Sequence, residues 1–147
     1  MKAHFDEDFP TVPYISIIYR EHAKFLNEKV KDEELSFGLF PLLIKIYKSE
    51  DIIQEELAKC FHLNESTITR NLKKLEDKGF ITRVQDKRSK RIEITEKGKK
   101  TAIKVMDFDE EWDEKIKEII GDKNYHNFKD TLKTISEELI WIKLSKI

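Results

Sequence analysis

Between Asn64 and Ile81 the sequence reads NESTITRNLKKLEDKGFI, and its polar residues are of the kinds that grip an extended anion. On an α-helix Ile68, Leu72 and Leu75 fall on one face at spacings of four and three, while Ser66, Thr69, Arg70, Lys73 and Lys74 point the other way. Hydroxyls near a helix start, followed by cations along the same face, suit either a solvated surface or contact with a polyanion. A second basic group follows in DKRSK, where Lys87, Arg88 and Lys90 come after Asp86. Groups for catalysis are dispersed. His4, His22, His62 and His126 form no pair at metal-ligand spacing, and there is no Gly-rich phosphate loop or GxSxG elbow. The acidic run DFDEEWDEK lacks the central glycine and Asp-x-Asp spacing of a metal loop, and Trp112 at helical spacing makes it a solvated helix face. No catalytic residue, metal site or cofactor is therefore assigned, and the protein is not expected to be an enzyme.

The elements that must position these residues are six helices and one hairpin. Pro13 opens a first helix to about Lys31, with Ile17, Ile18, Phe25, Leu26 and Val30 as its apolar positions. A second helix follows Ser36 as N-cap through LFPLLIKIYK, with Pro41 near its first turn. A short third helix, Gln54 to Phe61, buries Leu57 and Ala58. After HLN comes a fourth, with Asn64 as N-cap and Gly79 as its stop. Two helices joined by about three residues, the second carrying the cations, make a helix-turn-helix pattern. FITRVQ and RIEIT then read as two strands, with DKRSK at the tip as a basic wing. Thr95 caps a fifth helix, where Glu96 suits the positive helix end. Phe108, Trp112, Ile116 and Ile119 repeat along it at helical spacing. The last helix carries Tyr125, Phe128, Leu132, Ile135, Leu139 and Ile142 as a seam for pairing with other helices, widened by Trp141 and Leu144.

A chain of 147 residues, 39% hydrophobic, is long enough for one domain or two small lobes. Its net charge of −1 hides an uneven distribution. Residues 61–100 hold 12 Lys/Arg against 6 Asp/Glu, so +6, and the remainder holds 16 against 23, so −7. No apolar run of membrane-spanning length and no signal-peptide pattern occurs, so the expected location is the cytoplasm, with no membrane partner. The single cysteine, Cys60, excludes an internal disulfide and lies in a helical pattern, where buried packing is expected. Two long terminal helices exceed what so small a chain covers alone, so a homodimer is expected.

The run LAKCFHLNESTITRNLKKLEDKGFITR, followed by DKRSKRIEITEKG, resembles the signature of the MarR family of winged-helix transcriptional regulators. The resemblance covers residues 35–100 by motif and the rest by helix order. It implies a mainly α (α+β) fold: a winged helix-turn-helix with flanking long helices forming a dimerisation region. The implied parts are an N-terminal dimerisation helix (1–34), a DNA-binding lobe (35–100) and C-terminal dimerisation helices (101–147). Three positions depart from the family pattern. His62 replaces the usual turn glycine, in a left-handed geometry that histidine tolerates better than most residues. The wing is short, and Lys87 replaces the first arginine of the usual Asp-Arg-Arg.

The resemblance further implies a homodimeric repressor that binds a pseudo-palindromic operator in double-stranded DNA. Ser66, Thr67 and Thr69 would reach phosphates or base edges, Arg70 a guanine or phosphate, and Lys73 and Lys74 phosphates. Asp86 would hold Arg88 for the minor groove, with Lys87 and Lys90 beside it on the wing. A small aromatic anion is the implied effector, bound in a crevice lined by parts of the first, second and fifth helices. A winged helix serving only as a protein-interaction module is the competing reading, and the basic recognition face and basic wing disfavour it.

Overall fold

A computed structural model describes the backbone at residue 5 and over residues 7–31 and 35–145, and the side chains of these except Phe37, Asp86 and residues 141–145. The elements in chain order are α1 (Thr11–Lys29), a 3₁₀ turn (Phe37–Leu39), α2 (Phe40–Lys48), α3 (Gln54–Phe61), α4 (Glu65–Asp77), β1 (Ile81–Asp86), β2 (Ser89–Ile94), α5 (Glu96–Ile120) and α6 (Asp122–Ser145). Among the described residues the fold is mainly helical with one two-stranded antiparallel sheet, as the sequence predicts. The chain divides into two compact units, Met1–Phe108 and Asp109–Ile147. Among the described residues no helix is long and apolar enough to cross a membrane.

The core of the first unit draws on every element from α1 to the first half of α5. Leu42, Leu43 and Ile46 of α2, Leu57 of α3 and Ile68, Leu72 and Leu75 of α4 are buried, together with Phe80, Ile81 and Ile92 at the base of the hairpin. Each large apolar side chain removed from water in this way contributes roughly 1.5–3 kcal/mol. The stripe Ile68, Leu72, Leu75 is fully buried, so the opposite face of α4 must face outward.

Local chemistry explains each boundary. Asn64 caps α4, its Oδ1 accepting from the Thr67 backbone N–H at 2.8 Å. Gly79, at φ +81, ends the same helix: its N–H donates to the Glu76 carbonyl and the Phe80 N–H to that of Leu75, the paired bonds of a left-handed C-terminal cap. His62 closes α3 at φ 52, ψ 40, so the helix-turn-helix turn forms without glycine. Thr95 caps α5 by accepting from Gly98 N–H at 3.0 Å.

Several expectations are corrected. Helix α1 begins at Thr11, two residues before Pro13, which occupies the first turn, where its missing N–H would have no helical partner. Ser36 does not cap α2; it precedes the 3₁₀ turn, its carbonyl accepting from Leu39 N–H, and Pro41 stands in the first turn instead. Cys60 is exposed, because Leu57 occupies the inward position of that short helix, and Ala58 is only half-buried. Of the apolar positions read in α1, Phe25, Leu26 and the flanking Val30 are buried and Ile18 is exposed on the single chain, which contradicts no expectation of burial. Phe108, Trp112 and Ile116 do lie on α5 and are half-buried, and its deeply buried stretch, Gly98, Thr101, Ala102 and Val105, comes before them. Ile119 is exposed.

In the second unit Gly121, at φ +85, separates α5 from α6. Tyr125 is buried there, with the Lys117 ammonium 5.0 Å from its ring centre, and burial pushes the Tyr125 hydroxyl pKa above its usual value. Leu132, Ile135 and Leu139 of the predicted seam are exposed on the single chain. Trp141, Ile142 and Leu144 lie outside the described side chains.

Candidate nucleic-acid interface

Strand pairing decides which hairpin residues join α4. The register sets Ile81 opposite Ile94, Arg83 opposite Ile92 and Gln85 opposite Lys90. Side chains alternate between sheet faces with period two, so Ile81, Arg83, Gln85, Lys90 and Ile92 share one face. Ile81 and Ile92 are buried, so this face points inward, toward α4. The turn takes only Lys87 and Arg88, with Lys87 at φ 54, rather than all of DKRSK. Ser89 and Lys90 consequently belong to β2, and Lys90 stands beside the helix instead of at the tip.

An open cleft of about 620 Å³ results, lined by Gln54, Glu65, Ser66, Thr69, Arg70, Lys73 and Lys90. Of the predicted site residues, Ser66, Thr69, Arg70 and Lys73 from α4 meet Lys90 from β2 there. Ser66 is exposed and donates its hydroxyl to Asn64 Oδ1 at 2.8 Å, while Thr69 is half-buried and accepts from Gln54 Nε2 at 2.8 Å. Lys73 is exposed and pairs with Asp77 at 3.2 Å, a surface pair worth about 0–1 kcal/mol and so easily exchanged for another anion.

The other predicted residues lie apart from that cleft. Thr67 is half-buried in the first turn of α4, and Lys74 is exposed farther along the helix. Lys87 and Arg88 are exposed at the hairpin turn, where the Lys87 carbonyl accepts from Gln85 Nε2. Asp86 pairs with Ser89 in the strand register, but the expected Asp86–Arg88 bridge lies outside the described side chains.

Three supporting features escape a reading of the sequence. Arg83 joins β1 to α4 through Glu76, with Nη2 to Oε1 at 3.0 Å and the backbone N–H to Oε2 at 3.1 Å. The Arg83 hydrogen bonds hold the Glu76 carboxyl pKa below its usual value. Ile53 forms a β-bridge with Arg91, and Ile92 N–H donates to the Ile52 carbonyl, so the segment before α3 adds a third strand-like edge to the hairpin. Gln54, the first residue of α3, is buried against α4. An arginine on the inward face of β1, next to Ile81 and opposite Ile92, was the one available sign of the Glu76 pair.

A sequence model of the MarR family matches residues 35–92. The chain is 39% identical over 89 residues to YybA, an uncharacterized HTH-type transcriptional regulator of Bacillus subtilis; the match spans 58% of this chain and 59% of that protein, less than two thirds of its length. With the HTH-type transcriptional regulator BilQ of Clostridium symbiosum it shares 34% identity over 110 residues, 72% of this chain and 76% of the relative. A crystal structure from Listeria monocytogenes, of a MarR family transcriptional regulator complexed with 26mer DNA, superposes with a TM-score of 0.77 at 26% identity, over 95% of each chain. The signature from Leu57 to Gly98, the winged helix built on it and these likenesses agree: the chain belongs to the MarR family of transcriptional regulators.

Proposed function

We propose that the chain binds double-stranded DNA sequence-specifically as a homodimer, with α4 in the major groove and the β1–β2 wing directed at the neighbouring minor groove. The observation that carries this reading is the outward face of α4. Its buried stripe fixes the helix so that Ser66, Thr69, Arg70 and Lys73 share a cleft with Lys90, a concave, hydroxyl-bearing and cationic surface suited to a phosphate backbone with base edges behind it. The DNA-bound Listeria relative supports the same use of the fold.

The residues divide by chemistry. Arg70 presents a planar fork that suits guanine or phosphate, Lys73 and Lys74 are point charges for phosphates, and Ser66 and Thr67 serve the first turn. Lys87 and Arg88 at the turn are the wing's cations, and Asp86 orients Arg88. Residues 35–100 act as the DNA-binding lobe, and the helical segments 1–34 and 101–147 as the dimerisation region. The exposed apolar seam of α6, Leu132, Ile135 and Leu139, supports that last assignment.

A dimer across a promoter blocks polymerase, which favours repression of a pseudo-palindromic operator. A small aromatic anion that prefers a dimer with wrongly spaced recognition helices would release it; a tenfold affinity difference corresponds to about 1.4 kcal/mol. Binding of labelled random duplex DNA at low salt tests the core of this proposal. Affinity that falls steeply with salt is expected. Absence of binding would remove the DNA-binding reading, and salicylate titrated into an operator complex tests the effector separately.

A further inference from the structure

Gln54 opens α3 and is 5% exposed, an unusual burial for an amide. Its Nε2 donates to Thr69 Oγ1 at 2.8 Å, linking the first turn of α3 to the recognition face of α4 across 15 residues of sequence. Its Oε1 is buried and has no hydrogen-bond partner among the described residues. An orphaned buried acceptor is destabilising, and an apolar side chain of the same length would fill that space without it. The arrangement makes sense through what Nε2 does to Thr69.

A threonine hydroxyl has one hydrogen and two lone pairs, so on its own it can donate to or accept from a base edge. Gln54 occupies one of the two lone pairs. The hydroxyl hydrogen and a single lone pair are left, so the balance of the group shifts toward donation when the surface is desolvated. A hydroxyl on a helix can send its hydrogen to the carbonyl four residues back, as Ser136 does to Leu132 at 2.8 Å. Thr69 makes no such bond among the described residues. It lines both the cleft shared with Ser66, Arg70 and Lys90 and a second hollow beside Arg83 and Gln85.

We infer that Gln54 is a positioning residue that biases Thr69 toward donating a hydrogen bond into the major groove, and so tunes base preference without touching DNA. The inference rests on the DNA-binding reading above. Guanine, adenine and thymine each present a major-groove acceptor, whereas cytosine presents only its N4 donor. Cytosine is the base that a donating Thr69 disfavours. Replacing the amide by a carboxylate reverses the polarity: Glu at this position accepts from the Thr69 hydroxyl, which turns a lone pair outward and favours the amino groups of adenine and cytosine.

The test selects duplexes from a randomised pool with the full chain, its Gln54→Met and Gln54→Glu variants, and Thr69→Val, with folding checked by thermal melting. The wild type should discriminate against cytosine at one position per half-site by about fivefold, the discrimination that one neutral hydrogen bond carries. Gln54→Met and Thr69→Val should flatten that same position. Gln54→Glu should shift it toward adenine or cytosine, which keeps the inference testable if the methionine variant does not fold. A merely structural Gln54 would lower affinity for all duplexes together and leave the preference ratio intact, overturning the inference. Failure of the wild type to bind any duplex at low salt would overturn the DNA-binding reading and this inference with it.

Discussion

Arg83 donates to both carboxylate oxygens of Glu76, its Nη2 to Oε1 at 3.0 Å and its backbone N–H to Oε2 at 3.1 Å, and thereby fastens the base of the wing to the last turn of α4. Gly79 and Phe80 form the turn between them, so the pair closes a loop of seven residues on a side chain rather than on packing alone. Glu76→Gln should cost about 1 kcal/mol of stability at neutral pH, as a partly exposed pair with a charged hydrogen bond is removed. The carboxyl pKa is depressed in the folded state, so the pair contributes fully above the ordinary carboxylate range and its contribution is lost as pH falls through the lowered native value. Urea denaturation of the two proteins across pH 3 to 7 should show the gap closing at the acid end. A gap that widens there would assign the effect to something other than the ionised pair.

Two glycines should fail for different reasons. A Cβ at Gly98 would strike the Phe80 carbonyl oxygen and lie 2.7 Å from Ile94 Cγ1, so Gly98→Ala should lose about 2–3 kcal/mol through overpacking. Gly79 has φ +81 with only Lys97 Cδ at 4.0 Å, so Gly79→Ala should lose about 1 kcal/mol from backbone strain. Asparagine separates the two causes, because it tolerates left-handed backbone but not lack of space. Denaturation midpoints should rank Gly79→Asn above Gly79→Ala, and Gly98→Asn below Gly98→Ala.

On DNA, Arg70→Ala should cost about 1–3 kcal/mol on the preferred operator and relax preference at one position, as expected of a base contact. Lys73→Ala should weaken all sequences alike and lower the salt slope by about one. Because Lys73 is engaged with Asp77 at 3.2 Å, Asp77→Asn should tighten binding on every sequence. Anisotropy titrations over a salt series read all three. Equal losses on every sequence for Arg70→Ala would assign that arginine to the backbone.

Assembly is testable through α6 alone. Leu132, Ile135 and Leu139 are 43%, 51% and 62% exposed on the single chain. Sedimentation at micromolar concentration should give twice 17.6 kDa for the wild type. Placing charge on the seam with Leu132→Glu and Leu139→Glu should yield a folded species of one chain's mass. A wild-type monomer, or an unaltered dimer in the double variant, would contradict the assigned interface.

Where a residue's role depends on near neighbours in sequence, it was legible. Asn64, Thr95 and Gly79 act within a few residues of themselves, and the spacing of Ile68, Leu72 and Leu75 fixes which face of α4 is free. His62 could be read as a left-handed turn residue on intrinsic grounds. Pairings across the fold were not legible: Gln54 to Thr69, Glu76 to Arg83 and Ile53 to Arg91 join residues whose separation follows no local period. Lys90 was misplaced because a turn of five residues and a turn of two look alike until strand register is known. Cys60 shows the same limit in a helix, since a free thiol in an eight-residue helix carries too little pattern to say which face is covered.

Hydroxyl-radical footprinting of the full chain on its selected operator tests the central claim most directly. Two recognition helices related by a twofold axis should protect two tracts whose centres are about 34 Å apart, one turn of the duplex. Arg70→Ala should weaken both tracts together. Protection of a single tract, or protection no stronger on the selected operator than on random duplex at the same salt, would contradict sequence-specific binding by a dimer of this winged helix.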